Sequence, residues 1–355
     1  MNATPASPGT LVTPPRPVDV AAVFPQLAPL ARTATRLHPR PGAPSPRDSS
    51  VGGPLLWPAD EPWPHCEGPH EVDGMNLALS PGDLRLERRI HAAARGRSLT
   101  PEERETLERI RPPRELPLSV AVQPYDGSMA MLPVAQLYVR DIPDLRAPEG
   151  ADLLQVLWCP FDHPIMPRTA LFWRSAATVT DVLATPPEPP AVQFDGYLPE
   201  PCLLAPEQVV EYPSTMELSK ELREQVGNWG LWEAAGAGLD SSYASYPEEF
   251  YRGALSVAPG WKVGGWPSWG ATDPSPRTCP DCGSDMDALL TIATFEGDRS
   301  TSTWFPYENQ GAEPPTGVGH FDPREPTRVQ IGSGYKQQLY VCPKAPEHPH
   351  TELMQ

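Results

Sequence analysis

Apolar residues along most of this chain recur in short runs with a period close to two, which is the pattern of β-strands. The runs are rich in Val, Leu, Tyr and Trp and are bounded by Pro, Gly or Asp; in chain order they read TATRLHP, LSVAVQPY, PVAQLYVR, DLLQVLWC, TALFWRS and CLLAPEQVVEYP. Alternation of this kind buries one face of a sheet. We therefore predict a β-rich core that begins near residue 33.

A helical period appears in three places. Val20, Val23, Phe24 and Leu27 fit one short amphipathic helix, which Pro25 interrupts. Residues 81–113 change to Arg, Glu and Ala and carry an N-cap, an N1 proline and a capping-box acid, which predicts an inserted helical hairpin. A third helix is expected after the capping pair Ser214 and Glu217. The capping signals of the hairpin are Thr100, Pro101 and Glu103, and the apolar stripe of the third helix consists of Leu218, Leu222 and Val226.

One short motif occurs twice in the chain. VGGPLLWP, from Val51, returns as VGGWPSW, from Val263, and each copy is followed at nearly the same spacing by a cysteine, Cys66 or Cys279. Strands ending in LWCPFDHP and YVCPKAPEHP then close the two halves in the same order. Paired glycines admit positive φ and close strand approach, so we expect tight turns at the four motif glycines. These are Gly52, Gly53, Gly264 and Gly265.

The repeat and the strand pattern together predict an α+β, β-rich fold with an internally duplicated β core, a helical insertion and peripheral helices. We place a disordered tail at 1–16, a first repeat at 17–163 with the insertion at 81–113, connecting strands and helices at 164–260, and a second repeat at 261–355.

Composition narrows the class of function. The 355 residues carry a net charge of -17, which repels phosphate backbones, so nucleic acid is an unlikely ligand and a protein partner, such as a basic client or toxin, suits the chain better. The 50 prolines disfavour long helices, whereas the 10 tryptophans argue against disorder across most of the chain. No long apolar segment and no export signal are visible, so we expect a cytoplasmic protein without a membrane span.

CPDCG, residues 279–283, is the most specific chemical signal. Two thiolates two residues apart with a glycine after the second form the knuckle that holds one tetrahedral ion. Cys342 is the expected third ligand and His348 the fourth, with His350 as the alternate. A closed shell of this kind predicts a structural zinc site, while unligated buried thiols and a redox pair remain alternatives.

The first half offers a weaker counterpart. Cys66 with His70 and Cys159 with His163 are two C-x3-H pairs at the corresponding places, which makes a second zinc site conceivable. No glycine knuckle is evident beside them, so buried cysteines with surface histidines are the competing interpretation.

No catalytic motif is recognisable, and none of the GxSxG, HExxH or Ser-His-Asp patterns occurs. The tryptophans near each glycine pair, chiefly Trp63, Trp266 and Trp269, are candidates for contacting apolar client segments in a groove between the halves. Core packing is the alternative for each of them.

Several of these motifs resemble one family. The chain resembles the YwqG-like family of bacterial proteins of unknown function over about residues 33–350. The motifs that carry the resemblance are SSVGGPLLWP with WPHC, PVAQLYV with its Ala135-Gln136 pair, PEQVVEYP, KVGGWPSW, and CPDCG with LYVCP. That family resembles the programmed-cell-death-two proteins. The resemblance implies a duplicated β core, the glycine turns, the metal cysteines of CPDCG and a non-enzymatic role in protein contacts, such as chaperoning a client or neutralising a toxin. The arginine-rich insertion and the proline-rich front depart from it.

A protein-binding module with a structural zinc site is therefore the first functional hypothesis, and no enzyme activity is expected. A metal-dependent hydrolase, which needs an ion with an exchangeable water, and an RNA-associated factor, which depends on the arginine-rich insertion, are the alternatives.

Overall fold

The computed structural model describes residues 12–73, 77–113, 122–237, 243–310 and 322–355. The strands are β1 Arg32–Arg36, β2 Arg40–Pro41, β3 Ser50–Val51, β4 His65–Cys66, β5 Glu71–Asp73, β6 Val122–Pro124, β7 Met129–Ala130, β8 Leu132–Tyr138, β9 Leu153–Asp162, β10 Pro167–Arg174, β11 Cys202–Leu203, β12 Glu207–Glu211, β13 Lys262–Gly264, β14 Asp287–Ala293, β15 Lys336–Val341 and β16 Thr351–Met354. The α-helices are α1 Val20–Val23, α2 Pro81–Ala93, α3 Pro101–Ile110, α4 Lys220–Val226, α5 Trp229–Ala234 and α6 Pro247–Phe250. No helix within these ranges is both long and apolar enough to cross a membrane.

Two six-stranded antiparallel sheets form the body of the molecule. The N-terminal sheet has the order β10-β9-β8-β3-β11-β2, and the C-terminal sheet has the order β12-β1-β13-β14-β15-β16. Two small two-stranded antiparallel sheets, β4 with β7 and β5 with β6, lie between β3 and β8 in the sequence. The α+β, β-rich prediction is confirmed.

The two sheets correspond strand by strand when they are aligned on the strands that carry the glycine pairs. On one side of β3 lie β8, β9 and β10, and on the same side of β13 lie β14, β15 and β16. On the other side, each sheet takes its next strand from the opposite half of the chain: β11 lies beside β3, and β1 lies beside β13. The segments 32–41 and 202–211 therefore each run from one sheet into the other.

This strand exchange defines a first unit, residues 32–174, and a second unit, residues 202–354. Strands β11 and β12 of this second unit lie before residue 261, the predicted start of the second repeat, and both belong to the six-stranded sheets. The predicted helical insertion does contain α2 and α3 and lies between β3 and β8 of the first unit.

One hydrophobic core joins the two sheets. Its buried members include Val51, Leu137 and Val156 from the first unit and Leu290 and Leu339 from the second. Strand β9 is buried at nearly every position, which explains why DLLQVLWC shows a continuous apolar run instead of strict alternation. Each such side chain contributes about 1.5–3 kcal/mol on burial, so the units cannot separate without exposing this shared interior.

The N-terminal front of the chain differs from its prediction. Residues 1–11 lie outside the described residues, but 12–16 pack on the core instead of forming a disordered tail. The backbone N–H of Thr13 donates to Glu207 Oε1 over 2.9 Å. The guanidinium of Arg16 lies 3.6 Å from the centroid of the Trp304 ring and donates to the carbonyl of Thr303. A cation over an aromatic face compensates for the apolar residues that this segment lacks.

The predicted capping pair is present but caps a different element. Ser214 and Glu217 form a capping box around the 3-10 turn Thr215–Glu217. Helix α4 begins only at Lys220, where the Ser219 side chain accepts the backbone N–H of Leu222. Two serine caps in succession thus break what the apolar stripe suggested was one helix. Of the predicted strand LSVAVQPY, residues 118–121 lie outside the described residues, and the remainder contains β6.

All four motif glycines have positive φ, at 76° and 79° for Gly52 and Gly53 and at 72° for both Gly264 and Gly265. Of the four motif glycines, Gly265 in the second turn has the least space around it. A Cβ added at Gly265 would overlap the Glu211 carboxylate and lie 2.7 Å from the Cβ of Ala34. Glycine is therefore required here by space as well as by backbone conformation.

Gly265→Ala should lower the free energy of unfolding by about 3–5 kcal/mol, because backbone strain and overpacking each cost about 1–3 kcal/mol. Gly96→Ala is the matched control: its φ is 75°, but nothing lies within 4 Å of the added Cβ. We expect that variant to lose only about 1 kcal/mol. Urea unfolding of both proteins measures the difference, and equal losses would show that space at Gly265 is not limiting.

Candidate metal centres

The first unit brings Cys66, His70, Cys159 and His163 together. Their four potential ligand atoms all lie within 4.8 Å of one another. Cys66 ends β4, and Cys159 lies in β9, whose end leads directly to His163. The Cys66 Sγ is 3.4 Å from the Nε2 of His163. The weaker of the two predicted clusters is thus a complete tetrad.

A glycine turn shapes this first tetrad, although none was expected. Gly68, two residues after Cys66, has a φ of 92° and directs its backbone N–H to the Cys66 sulfur. The backbone N–H of Phe161 likewise donates a hydrogen bond to the Cys159 sulfur. The segment HCEGPH therefore has a glycine turn between its two potential ligands, Cys66 and His70, whereas the glycine of CPDCG follows the second cysteine.

The first tetrad is enclosed. Cys66, His70 and Cys159 are buried, and the rings of Phe161 and His70 are 5.2 Å apart. The His70 Nε2 is buried and makes no hydrogen bond in the described part of the chain. A buried polar nitrogen without a partner is costly, and a metal held by this ring would offset that cost.

The two thiols of the first tetrad titrate as a pair. A hydrogen bond from Cys159 lowers the pKa of Cys66, and the same bond raises the pKa of Cys159. Cys66 is therefore the thiol of the pair that ionises more readily, and the thiolate is the form that binds metal.

The second unit forms the predicted knuckle. Gly283 has a φ of 66°, and its N–H donates to the carbonyl of Cys279 over 2.8 Å. The N–H groups of Asp281 and Cys282 face the Cys279 sulfur. This turn places both sulfurs on the same side, toward Cys342 at the end of β15.

His348, rather than His350, completes this second tetrad. The Nδ1 of His348 is 3.3 Å from the Cys279 Sγ, and the sulfurs of Cys282 and Cys342 are 3.5 Å apart. His350 instead places its Nε2 2.8 Å from the Thr169 Oγ1, at the edge of the N-terminal sheet. The alternate fourth ligand therefore has a different role, in joining β10 to the segment before β16.

Electrostatics in the second tetrad favour metal binding at its exposed side. A hydrogen bond with the Ser284 hydroxyl, 3.3 Å away, lowers the pKa of Cys282 to about 6. Burial raises the pKa of Cys279, and hydrogen bonding to the Cys342 sulfur raises the pKa of His348. Cys282 is the thiolate that this environment stabilises most directly.

Both tetrads have the dimensions of a zinc site. A tetrahedral ion with Zn–S of about 2.3 Å and Zn–N of about 2.0–2.1 Å separates S from N by about 3.6 Å and S from S by about 3.8 Å. The S···N contacts of 3.4 and 3.3 Å and the S···S contact of 3.5 Å are within a few tenths of these values. The donor sets, Cys2His2 and Cys3His, are those of structural zinc.

An open groove of about 640 Å³ borders the second tetrad; we call it the inter-unit groove. Its first wall comprises Arg32, Asp144, Arg146 and Ala147, and its second wall comprises Gly264, Gly265, Leu289, Cys342 and Pro346. It therefore runs between the units, from the second glycine turn to a ligand of the Cys3His tetrad.

The three tryptophans that we predicted to contact a partner lie in different places. Trp63 is buried and donates its indole N–H to the carbonyl of Met131, so it packs in the core. Trp266 and Trp269 are half-buried. Arg32 stacks on Trp266 at 3.7 Å from the ring centroid and so connects this tryptophan with the inter-unit groove.

The loop that follows the second glycine pair is fixed to the C-terminal sheet by polar side chains. Lys336 donates to the Ser268 hydroxyl over 2.8 Å, and Gln338 donates to the carbonyl of the same residue over 2.6 Å. The side-chain carbonyl of Gln355 accepts the three consecutive N–H groups of residues 270–272. The loop thus has a defined conformation beside the groove.

No protein-family model matches the chain, and no curated protein sequence matches it either. The resemblance to the YwqG-like family therefore stays an expectation that depends on the motifs themselves.

Sequence reasoning missed Gly68 and the first wall of the inter-unit groove. The glycine two residues after Cys66 is visible in HCEGPH, and it is a sequence signal that would have strengthened the prediction of a metal site at the first tetrad. Asp144 and Arg146 gave no comparable signal, because they lie in a loop that the fold brings to the glycine turn from a distant part of the sequence.

Proposed function

We propose that this protein is a non-enzymatic, protein-binding module whose two units are each stabilised by a structural zinc ion. The observation that carries the proposal is the presence of two Cys/His tetrads at corresponding places in the two sheets. Cys66 and Cys279 each follow a glycine strand; Cys159 lies within the second strand beyond it, β9, and Cys342 directly follows the second strand beyond it, β15. Conservation of this arrangement through divergence of the two units favours a role for the ions in folding.

Four protein donors in each tetrad support a structural role over a hydrolytic one. A catalytic zinc ordinarily has three protein ligands and keeps its fourth position for water or substrate. Here each tetrad supplies four donors within 4.8 Å of one another. The metal-dependent hydrolase is therefore the less favoured alternative.

The inter-unit groove supports a role in protein contacts. At about 640 Å³ it has the size of a site that accepts several side chains, and the two glycines of the second turn belong to its second wall. Glycines leave backbone exposed to an approaching chain. The net charge of -17 favours association with basic clients.

The test has two parts. Elemental analysis of the purified protein should find two zinc ions per chain. Ala147→Arg, which places a long side chain in the groove, should lower recovery of a bound partner from the native host by at least about tenfold, equivalent to about 1.4 kcal/mol.

Ala235→Arg makes the same substitution at an exposed helix end away from the groove and is the control. A partner recovered equally by both variants would not bind in the groove. A partner whose recovery is insensitive to added salt would contradict the expected preference for basic clients.

A further inference from the structure

The two tetrads occupy corresponding places in the fold but differ in their exposure. In the first, Cys66 and Cys159 are 5% and 0% exposed, and aromatic rings lie against the site. In the second, Cys282 is exposed, and residues 280–283 around it are exposed as well. Solvent therefore reaches a sulfur of the second tetrad and is largely kept from the sulfurs of the first.

The exposed sulfur of the second tetrad has a second sulfur beside it. The Sγ atoms of Cys282 and Cys342 are 3.5 Å apart. The hydroxyl of Ser284 lies 3.3 Å from the Cys282 Sγ. An exposed cysteine sulfur with a second sulfur close enough to resolve it is the arrangement of an oxidation-sensitive cysteine.

We propose that Cys282 and Cys342 form a peroxide-sensitive pair, and that their oxidation releases the zinc ion of the second unit while the first unit keeps its own. This inference rests on the zinc sites of the proposed function and adds to them a modification site.

The chemistry requires only a hydroperoxide. The Cys282 thiolate attacks one peroxide oxygen, so that an S–O bond forms, the O–O bond breaks and hydroxide leaves as water after it takes a proton. The Cys342 thiolate then attacks the Cys282 sulfur; an S–S bond forms, the S–O bond breaks, and a second water leaves. The two thiolates lose two electrons, and hydrogen peroxide gains them. Zinc then retains two of its four ligands and dissociates.

The inter-unit groove is the part of the surface that this reaction would change. Cys342 and Pro346 belong to its second wall, and His348 follows two residues after Pro346. The bound ion ties residues 342–348 to the knuckle at 279–283. Loss of the ion removes that link, so oxidation would alter the wall on which a client is proposed to rest.

The experiment treats the zinc-loaded full chain with hydrogen peroxide, follows zinc release with a chromogenic chelator, and maps the thiols by differential alkylation and mass spectrometry. We expect one zinc ion per chain to be released at least about tenfold faster than the other, together with a Cys282–Cys342 disulfide. Thiol reduction followed by added zinc should restore the original content.

The first unit serves as the control within the same molecule, since Cys66 and Cys159 should remain reduced throughout. Release of both ions at the same rate, or a disulfide between Cys66 and Cys159 before one at Cys282, would overturn the proposal. A protein that contains no zinc before peroxide is added would instead contradict the proposed function. In that case thiol mapping still tests the pair, since preferential oxidation of Cys282 with Cys342 needs no metal.

Amide hydrogen exchange provides the readout of the groove. After oxidation, the amides of residues 342–350 should exchange faster, whereas those of residues 159–165 should not change. Unaltered protection at 342–350 would show that the ion does not hold this wall.

Discussion

Cys159→Ser should reduce the zinc content from two ions per chain to one and lower the midpoint of thermal unfolding by roughly 10 °C or more. Cys159 is fully buried in β9, and a serine hydroxyl is a poor zinc ligand in the place of a thiolate. Binding of structural zinc contributes on the order of 10 kcal/mol to local folding. In a chain of this size each kcal/mol of lost stability lowers the midpoint by about 2 °C, so loss of even half of the zinc contribution lowers it by about 10 °C. Elemental analysis and calorimetry measure the two effects.

Cys202→Ser separates the loss of a ligand from the loss of a buried thiol. Cys202 is as fully buried as Cys159 but lies in β11, where its sulfur is 3.4 Å from the carbonyl of Pro326, outside both tetrads. This control should keep both ions and lose only the packing of one sulfur, about 1–2 kcal/mol. If Cys159→Ser retained two zinc ions, the first tetrad would be a cluster of buried side chains without a metal.

The strands and the second tetrad could be predicted because their signals are local. Short runs of Val, Leu and Tyr between Pro and Gly predicted β8 and β9 close to their observed bounds, and CPDCG predicted a knuckle whose N–H groups face the sulfurs. Both inferences depend on a few consecutive residues. The choice between His348 and His350, by contrast, depended on the path of the chain after β15, and the sequence left it open.

The strand exchange could not be predicted, because no local signal specifies which sheet a strand joins. Strands β1 and β12 are ordinary antiparallel neighbours in the C-terminal sheet, yet they come from different units. The exchange depends on pairings between residues that are far apart in sequence, such as Thr35 with Gln208. The same pairings bring Asp144 to the second glycine turn, where it accepts the hydroxyls of Thr33 and Thr35. The inter-unit groove is therefore a product of the exchange.

The two tetrads differ in environment because the connections that follow the two glycine strands differ in length. The connection from β3 to β8 in the first unit includes β4 and β7, whose residues Cys66, Met129 and Ala130 pack with Cys159 in one buried cluster. The corresponding connection from β13 to β14 is short and leaves the Cys3His knuckle at the surface. The unit with the short connection is also the one whose tetrad borders the groove.

Glu211→Gln should lower the free energy of unfolding by about 3–5 kcal/mol, because it breaks a buried ion pair on one side only. The carboxylate of Glu211 accepts Lys262 Nζ at 2.6 and 2.7 Å and also the backbone N–H groups of Ala258 and Trp266. Both charged side chains are essentially unexposed, at 1% for Lys262 and 0% for Glu211. A glutamine leaves the buried ammonium without its counter-charge, in a position where burial already lowers the Lys262 pKa.

The partner substitution and a surface pair make this prediction specific. Lys262→Met should also cost about 3 kcal/mol or more, and the double variant should lose less than the sum of the two, because the second change no longer leaves a lone buried charge. Lys220→Met makes the same substitution in the exposed pair Lys220–Glu224, whose atoms are 3.9 Å apart, and should cost no more than about 0.5 kcal/mol. Chemical unfolding of the four variants decides the question. Additive losses in the double variant would mean that Lys262 and Glu211 act through their separate contacts to the 258–266 backbone, and that the lysine of KVGG is not held by its carboxylate.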